Sequence, residues 1–287
     1  MGVHRRGRRV HDADGHRGSV YTFDAGGITA LDRSTGDRLW TDESITAGSL
    51  IPRNGVLYGA NLTEAYAFDP AERELRWTTP IQDEDGPDWN QVARRAVDTR
   101  HLYVLEYTGL LSALDLESGD VQWTRDFSAS SVKEQALNAA GDAVYLRHHL
   151  DTNRAGVRAM DVATGEDRWT KTMSSAPTTP VVTADELYLQ AYSREEDRLA
   201  YVALDPATGE RRRELTAVEK DPNTQPVLAD GTLIYWAGEG RLQAVDIESD
   251  TVSWTVEEPL TGDRSIVVAD DAVLANNYGE WACLQSA

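Results

Sequence analysis

Apolar positions along this chain of 287 residues fall in short alternating runs that restart every forty residues or so. Val56-Leu57-Tyr58, Leu102-Tyr103, Val144-Tyr145, Leu187-Tyr188 and Leu233-Ile234-Tyr235 each follow a turn, in order Asn54-Gly55, Arg100-His101, Gly141-Asp142, Asp185-Glu186 and Asp230-Gly231. Gly18-Ser19-Val20-Tyr21 fits the same scheme. Period-two alternation bounded by turn residues predicts β-strands, and no stretch carries a helical period.

After each such run comes a second element. Residues 30–40 read A-L-D-R-S-T-G-D-R-L-W, and related stretches occupy 67–77, 113–123, 159–169, 203–213 and 244–254. All six hold Ala two residues before an Asp, and five hold Trp eight residues after it. The pattern predicts a hairpin in which the Asp carboxylate accepts the free N–H groups of the turn and Gly36, Gly119, Gly165 and Gly209 supply the positive φ. Ala keeps one strand thin, and Trp covers a neighbour. Two copies depart: Glu72-Arg73 replaces Thr-Gly and Arg213 replaces Trp, so those hairpins are expected to be less regular.

The motif Asp residues 32, 69, 115, 161, 205 and 246 lie 37, 46, 46, 44 and 41 apart. A period in the low forties with several strands per repeat predicts an all-β fold, a β-propeller of four-stranded antiparallel blades. Each blade reads as strand A (Pro180-Val181-Val182 or Pro226-Val227-Leu228), strand B ending near Tyr, strand C ending at Asp, and strand D reaching Trp. A seventh unit runs from Ser265 to Gln285 without a D strand, so seven blades are expected, with the missing strand drawn from the N-terminal segment or the ring left open. Residues 1–17 are expected to be a basic, poorly ordered arm, and 18–287 one propeller domain.

Composition narrows the partners. The net charge is −20, carried by 48 acidic residues against 25 Arg and 3 Lys. Such a chain repels nucleic acid and anionic membranes, and its Lys-poor acidity points to a halophilic source, an archaeon. No run approaches a membrane span. The single Cys283 excludes an internal disulfide. Arg5, Arg6, Arg8, Arg9 and Arg17 precede no apolar core, so no working signal peptide is read there.

The six hairpin motifs resemble the tryptophan-docking motif of the pyrroloquinoline-quinone (PQQ) propeller superfamily, over residues 18–285. The resemblance implies that Trp40, Trp77, Trp123, Trp169 and Trp254 stack between blades. That superfamily holds quinoprotein alcohol dehydrogenases and also cofactor-free scaffolds such as the propeller lipoprotein of the outer-membrane β-barrel assembly machine. The dehydrogenases need a calcium-binding Glu/Asn/Asp set, a catalytic Asp and commonly a vicinal Cys–Cys ring. One Cys cannot make that ring and no matching calcium set is found, so neither PQQ nor calcium is expected. The resemblance also implies an extracytoplasmic or membrane-associated setting.

Loop lengths vary where the motif does not. Tyr to Asp spans 11 or 12 residues in most blades but 16 from Tyr145 to Asp161 and 17 from Tyr188 to Asp205. The link from Trp77 to Tyr103 is also long and contains Asp88, Trp89 and Asn90. Alternating strand direction puts these insertions on one face, around blades three to five, the expected place for a protein partner or ligand. Trp89 is the aromatic anchor there, Arg154 and Arg194 are charged contacts, and His148 and His149 are solvated loop residues rather than metal ligands, since adjacent strand side chains point to opposite faces. No nucleophile elbow or metalloprotease helix is present. The leading expectation is a monomeric, non-catalytic scaffold. The alternative is a quinoprotein-type oxidoreductase or a small-molecule site in the central channel.

Overall fold

The computed structural model describes residues 9–12, 19–24, 27–32, 35–45, 50–61, 63–81, 92–127, 136–151, 154–173, 180–183, 185–193, 198–215, 226–237, 241–256, 266–269, 272–277 and 280–285. Every regular element among them is a strand, and the strands form six antiparallel sheets of four and one of three, each in sequential order. The fold is a β-propeller of four-stranded blades, with three described strands in the last sheet.

The chain divides into two compact units, one of Gly7–Asp142 with Asp161–Gly165, the other of Met1–Arg6, Ala143–Met160 and Glu166–Ala287. The first holds β1 (Arg9–Asp12), β2 (Ser19–Asp24), β3 (Gly27–Asp32) and β4 (Arg38–Asp42). It continues with β5 (Leu50–Arg53), β6 (Val56–Ala60), β7 (Glu64–Asp69) and β8 (Glu74–Pro80). Then come β9 (Val92–Val97), β10 (His101–Glu106), β11 (Leu110–Asp115), β12 (Val121–Asp126) and β13 (Ala136–Ala140). Its core lies between successive sheets, with Ile28, Ala30 and Tyr21 against Leu57, Tyr66 and Phe68, then Ala65, Ala67 and Trp77 against Leu102, Val104 and Leu114.

The second unit holds β14 (Ala143–Asp151), β15 (Arg154–Asp161), β16 (Asp167–Met173), β17 (Val181–Val182), β18 (Leu187–Ser193), β19 (Arg198–Leu204) and β20 (Arg211–Leu215). β21 (Val227–Ala229), β22 (Thr232–Trp236), β23 (Leu242–Asp246) and β24 (Thr251–Val256) form the next sheet, and β25 (Ile266–Ala269), β26 (Ala272–Asn277) and β27 (Glu280–Gln285) the last. The same layering recurs, with Val157 and Ala159 against Leu187 and Leu189, and Tyr201 and Ala203 against Leu233 and Tyr235.

Two expectations give way here. Arg9–Asp12, expected within a poorly ordered arm, pair in register with β2 and form the inner strand of the first sheet, not the missing strand of the last. The C–D hairpins of the second and fifth blades, expected to be less regular, match the other four. In all six the register shifts by one residue directly after the motif Ala. The turn that follows a bulge is set by backbone geometry, which Arg73 satisfies at φ 58.

Candidate interaction face and the latches behind it

Each C–D turn is built by its Asp. The carboxylates of Asp32, Asp69, Asp115, Asp161, Asp205 and Asp246 each accept the N–H of the residue three positions on. Four residues after each Asp the backbone is left-handed, at Gly36, Arg73, Gly119, Gly165, Gly209 and Asp250. Side chains other than Gly pay for that conformation, Asp less than most.

These turns receive the preceding blade. Trp77 Nε1 donates to Leu116 O at 2.9 Å, Trp123 Nε1 to Val162 O at 2.9 Å and Trp169 Nε1 to Pro206 O at 3.0 Å. The acceptor is always the residue after the motif Asp. Two residues beyond each Trp a second donor reaches the left-handed glycine's carbonyl: Thr79 to Gly119, Arg125 to Gly165 and Lys171 to Gly209. The indole covers that glycine so closely that a Cβ on Gly119, Gly165 or Gly209 would stand 2.7 Å from a ring carbon. Each indole also meets the strand-B tyrosine in a tilted ring contact, at 6.3 Å for Tyr58–Trp77, 5.8 Å for Tyr103–Trp123 and 6.3 Å for Tyr145–Trp169. At these three blades the contact is a latch of two hydrogen bonds, a glycine under the indole and a tilted tyrosine ring beside it.

Two latches use other chemistry. Trp40 contacts Tyr21 at 5.9 Å and Phe68 at 6.2 Å, while the Arg73 guanidinium, standing where four of the other five motifs have glycine, lies 5.5 Å over its ring. In the fifth blade Arg213 does the work of Trp. It donates to Ile247 O, the carbonyl after the next motif Asp, and lies 5.9 Å over Tyr188. Its charge is met by Glu186, which accepts from Nε at 3.2 Å and Nη2 at 2.8 Å. The Arg213 bond, against the partial burial of the carboxylate, holds the Glu186 carboxyl below its ordinary range. Trp254 packs half-buried beside Ile234 and Ile266.

The A–B turn of the third blade carries a buried polar group that the sequence reading missed. Asp98 accepts Arg100 N at 2.6 Å, His101 N at 2.7 Å and Tyr103 Oη at 2.7 Å. Burial pushes its carboxyl up, but these three donors together hold it below the usual carboxylate range. Tyr103 is pushed upward, by burial first and by Asp98 second.

The opposite end, with the B–C connections, is where the sequence placed the interaction face. Asp88, Trp89, Asn90 and Arg194 lie outside the described residues. The insertions of the fourth and fifth blades are strand, not loop. β14 and β15 run to nine and eight residues and β18 and β19 to seven each, against five or six in the other blades. β18 and β19 stay paired to Ser193–Arg198, leaving only 194–197 to connect them. His149 and Arg154 sit in the distal parts of β14 and β15. His148, expected as a solvated loop residue, is buried at 3% exposure with its ring over Gly156, where a Cβ would stand 2.3 Å from Cε1. Lengthening the strands carries the pleat past the usual turn, and the extra inward position needs a filler. The two long hairpins are neighbours, joined by the cluster of Tyr145, Val157, Leu189, Ala191 and Val202.

Among the described residues no three His, Cys, Asp or Glu side chains come together, and the carboxylates of Asp98 and Glu186 are committed to the bonds above. Among those residues no helix is long and apolar enough to cross a membrane.

Comparison with known proteins places this arrangement. The family described as outer membrane protein assembly factor BamB matches residues 61–287. The chain belongs to that family. BamB of Salmonella typhimurium is 28% identical over 184 residues, which are 60% of this chain and 42% of that protein. The serine/threonine-protein kinase AfsK of Streptomyces griseus is 30% identical over 165 residues, 53% of this chain and 20% of the kinase. The matched stretch thus spans less than half the length of either curated relative. The crystal structure of BamB from Moraxella catarrhalis superposes with a TM-score of 0.55 at 14% identity, covering 99% of both chains. The computationally designed Ika8 protein gives 0.59 at 13% identity, over 98% of this chain and 100% of that one. At those identities the structures speak for the fold alone.

Proposed function

We propose that this BamB-family chain is a non-catalytic assembly scaffold that holds a protein partner at the B–C end of its fourth and fifth blades. One observation carries the reading: two neighbouring hairpins are lengthened as paired strand and tied together by a shared apolar cluster. A rigid projection of that kind is pre-organised, so little ordering entropy is lost when a partner binds. The C–D turns at the other end are spent on latching blade to blade. The family's assembly role supports a protein as the occupant, and the acidity of the chain selects against nucleic acid. The scaffold works without PQQ or calcium.

The test is site-specific photo-crosslinking in the native host. A crosslinking residue at Thr152 or Glu195, which lie in sequence between β14 and β15 and between β18 and β19, is expected to trap one discrete partner, whereas one at Thr35 or Ser118, on C–D turns, traps none. Equal yields from both ends would remove the hairpins as the site. In a parallel melt, PQQ with calcium is expected to leave Tm unchanged. A rise would show a native-state ligand site and move the oxidoreductase reading ahead.

A further inference from the structure

Among the described residues each four-stranded sheet ends in an outer strand paired on one side, and such edges invite pairing unless charge or geometry blocks it. Five of the six outer strands carry at least two charged residues, such as Arg38 and Asp42 in β4 or Arg125 and Asp126 in β12. β24, Thr-Val-Ser-Trp-Thr-Val, has none. Among the described residues it pairs on one side, with β23. Thr251, Ser253 and Thr255 are exposed, and Val252 keeps 43% of its surface in water. Trp254 and Val256 turn inward onto the core, anchoring the strand from behind. Six residues of high β-propensity with no charge and no proline make the kind of edge that accepts another strand. On a chain of net charge −20 its neutrality stands apart.

The flanks say what would pair with it. Glu248 and Asp250 precede β24, and Glu257 and Glu258 follow it in sequence. An added strand therefore meets the carboxylates of Glu248 and Asp250 where a neutral stretch begins. A second copy of this chain is a poor occupant, because each copy carries a net charge of −20 and like charges repel. We propose that β24 is a docking edge for an extended segment of a basic protein partner, which adds as a fifth strand to the sheet of β21 to β24. The proposal rests on the protein-binding reading but sits on a different blade edge, so the two can fail separately.

A labelled peptide, Lys-Lys-Val-Thr-Val-Thr-Val-Lys-Lys, tests it on the full chain by fluorescence anisotropy, with hydrogen exchange as the second readout. Saturable binding is expected, with amide exchange slowed across 251–256 and not in β4, β8 or β12. The V252K/S253K variant places charge only on exposed positions, so its melting temperature should hold while binding weakens by about tenfold or more. The same peptide with Glu for Lys should bind about tenfold more weakly as well. Absence of saturable binding, protection on another strand, or a V252K/S253K variant that binds like the parent would overturn the proposal. So would a dimer of the parent chain that V252K/S253K splits, since the edge would then belong to a second copy.

Discussion

At the scale of residues, the position four after each motif Asp decides what the preceding blade can place against it. Gly165 lies under Trp123, whereas Gly36 has no atom within 4 Å of its would-be Cβ. Both adopt positive φ. G36A should therefore cost only the backbone term, about 1 kcal/mol, and G165A about 2–4 kcal/mol because the indole must also move. Denaturant unfolding of the two variants measures the difference, and equal losses would mean that the ring contact contributes nothing. In the sixth blade that position is Asp250, and the fifth blade reaches its turn with Arg213 rather than Trp. R213W would press an indole onto the Asp250 Cβ and strand Glu186, at a cost of about 2–3 kcal/mol. D250G should restore much of that in the double variant, with a coupling of about 1 kcal/mol or more in a double-mutant cycle. Asp98 adds a pH signature. Its folded carboxyl sits below the unfolded value, so the stability it supplies is present above the ordinary carboxylate range and lost as pH falls through the folded value. D98N should cost about 2 kcal/mol near neutrality and flatten the acid limb of a stability–pH curve. An unchanged acid limb would show that other carboxylates govern it.

At the scale of elements, the hairpin is one design executed with different side chains. The bulge after the motif Ala, the Asp-capped turn and the left-handed fourth position recur in all six copies. What varies is the latch, an indole in most blades and a guanidinium with its own carboxylate in the fifth. Trp can donate one hydrogen bond and present a face, and Arg can do both, but only with Glu186 to offset its charge. E186Q removes that offset and should loosen the contact between the fifth and sixth blades. Hydrogen exchange is expected to quicken at Ile247 and in β20 before it does around Trp77, and an even response across the chain would place the weak point elsewhere.

At the scale of the whole molecule, charge sets the working conditions. A net charge of −20 with so few lysines implies strong self-repulsion that salt screens. Raising KCl from about 0.1 M to about 2 M should raise Tm, and a fall would mean that pairs such as Arg76–Asp69 and Arg158–Asp167 outweigh the repulsion. The repeat, the strand order and the role of each motif Asp were legible in the sequence, because alternation and turn chemistry act over a few residues and recur in every copy. The candidate face was legible only as extra length. Whether sixteen or seventeen residues form loop or strand depends on pairing between segments, and the burial of His148 depends on a glycine eight positions away. Arg213 looked like a defect because its partners, Glu186 and Ile247, lie 27 and 34 residues distant. The neutral edge of β24 could be read from composition, but that it is an edge at all follows from sheet order. Local hydrogen bonding and hydrophobic period thus determined the blades, while contacts between blades, which the chain forms only once folded, decided which residues latch, which are buried and which remain open to a partner.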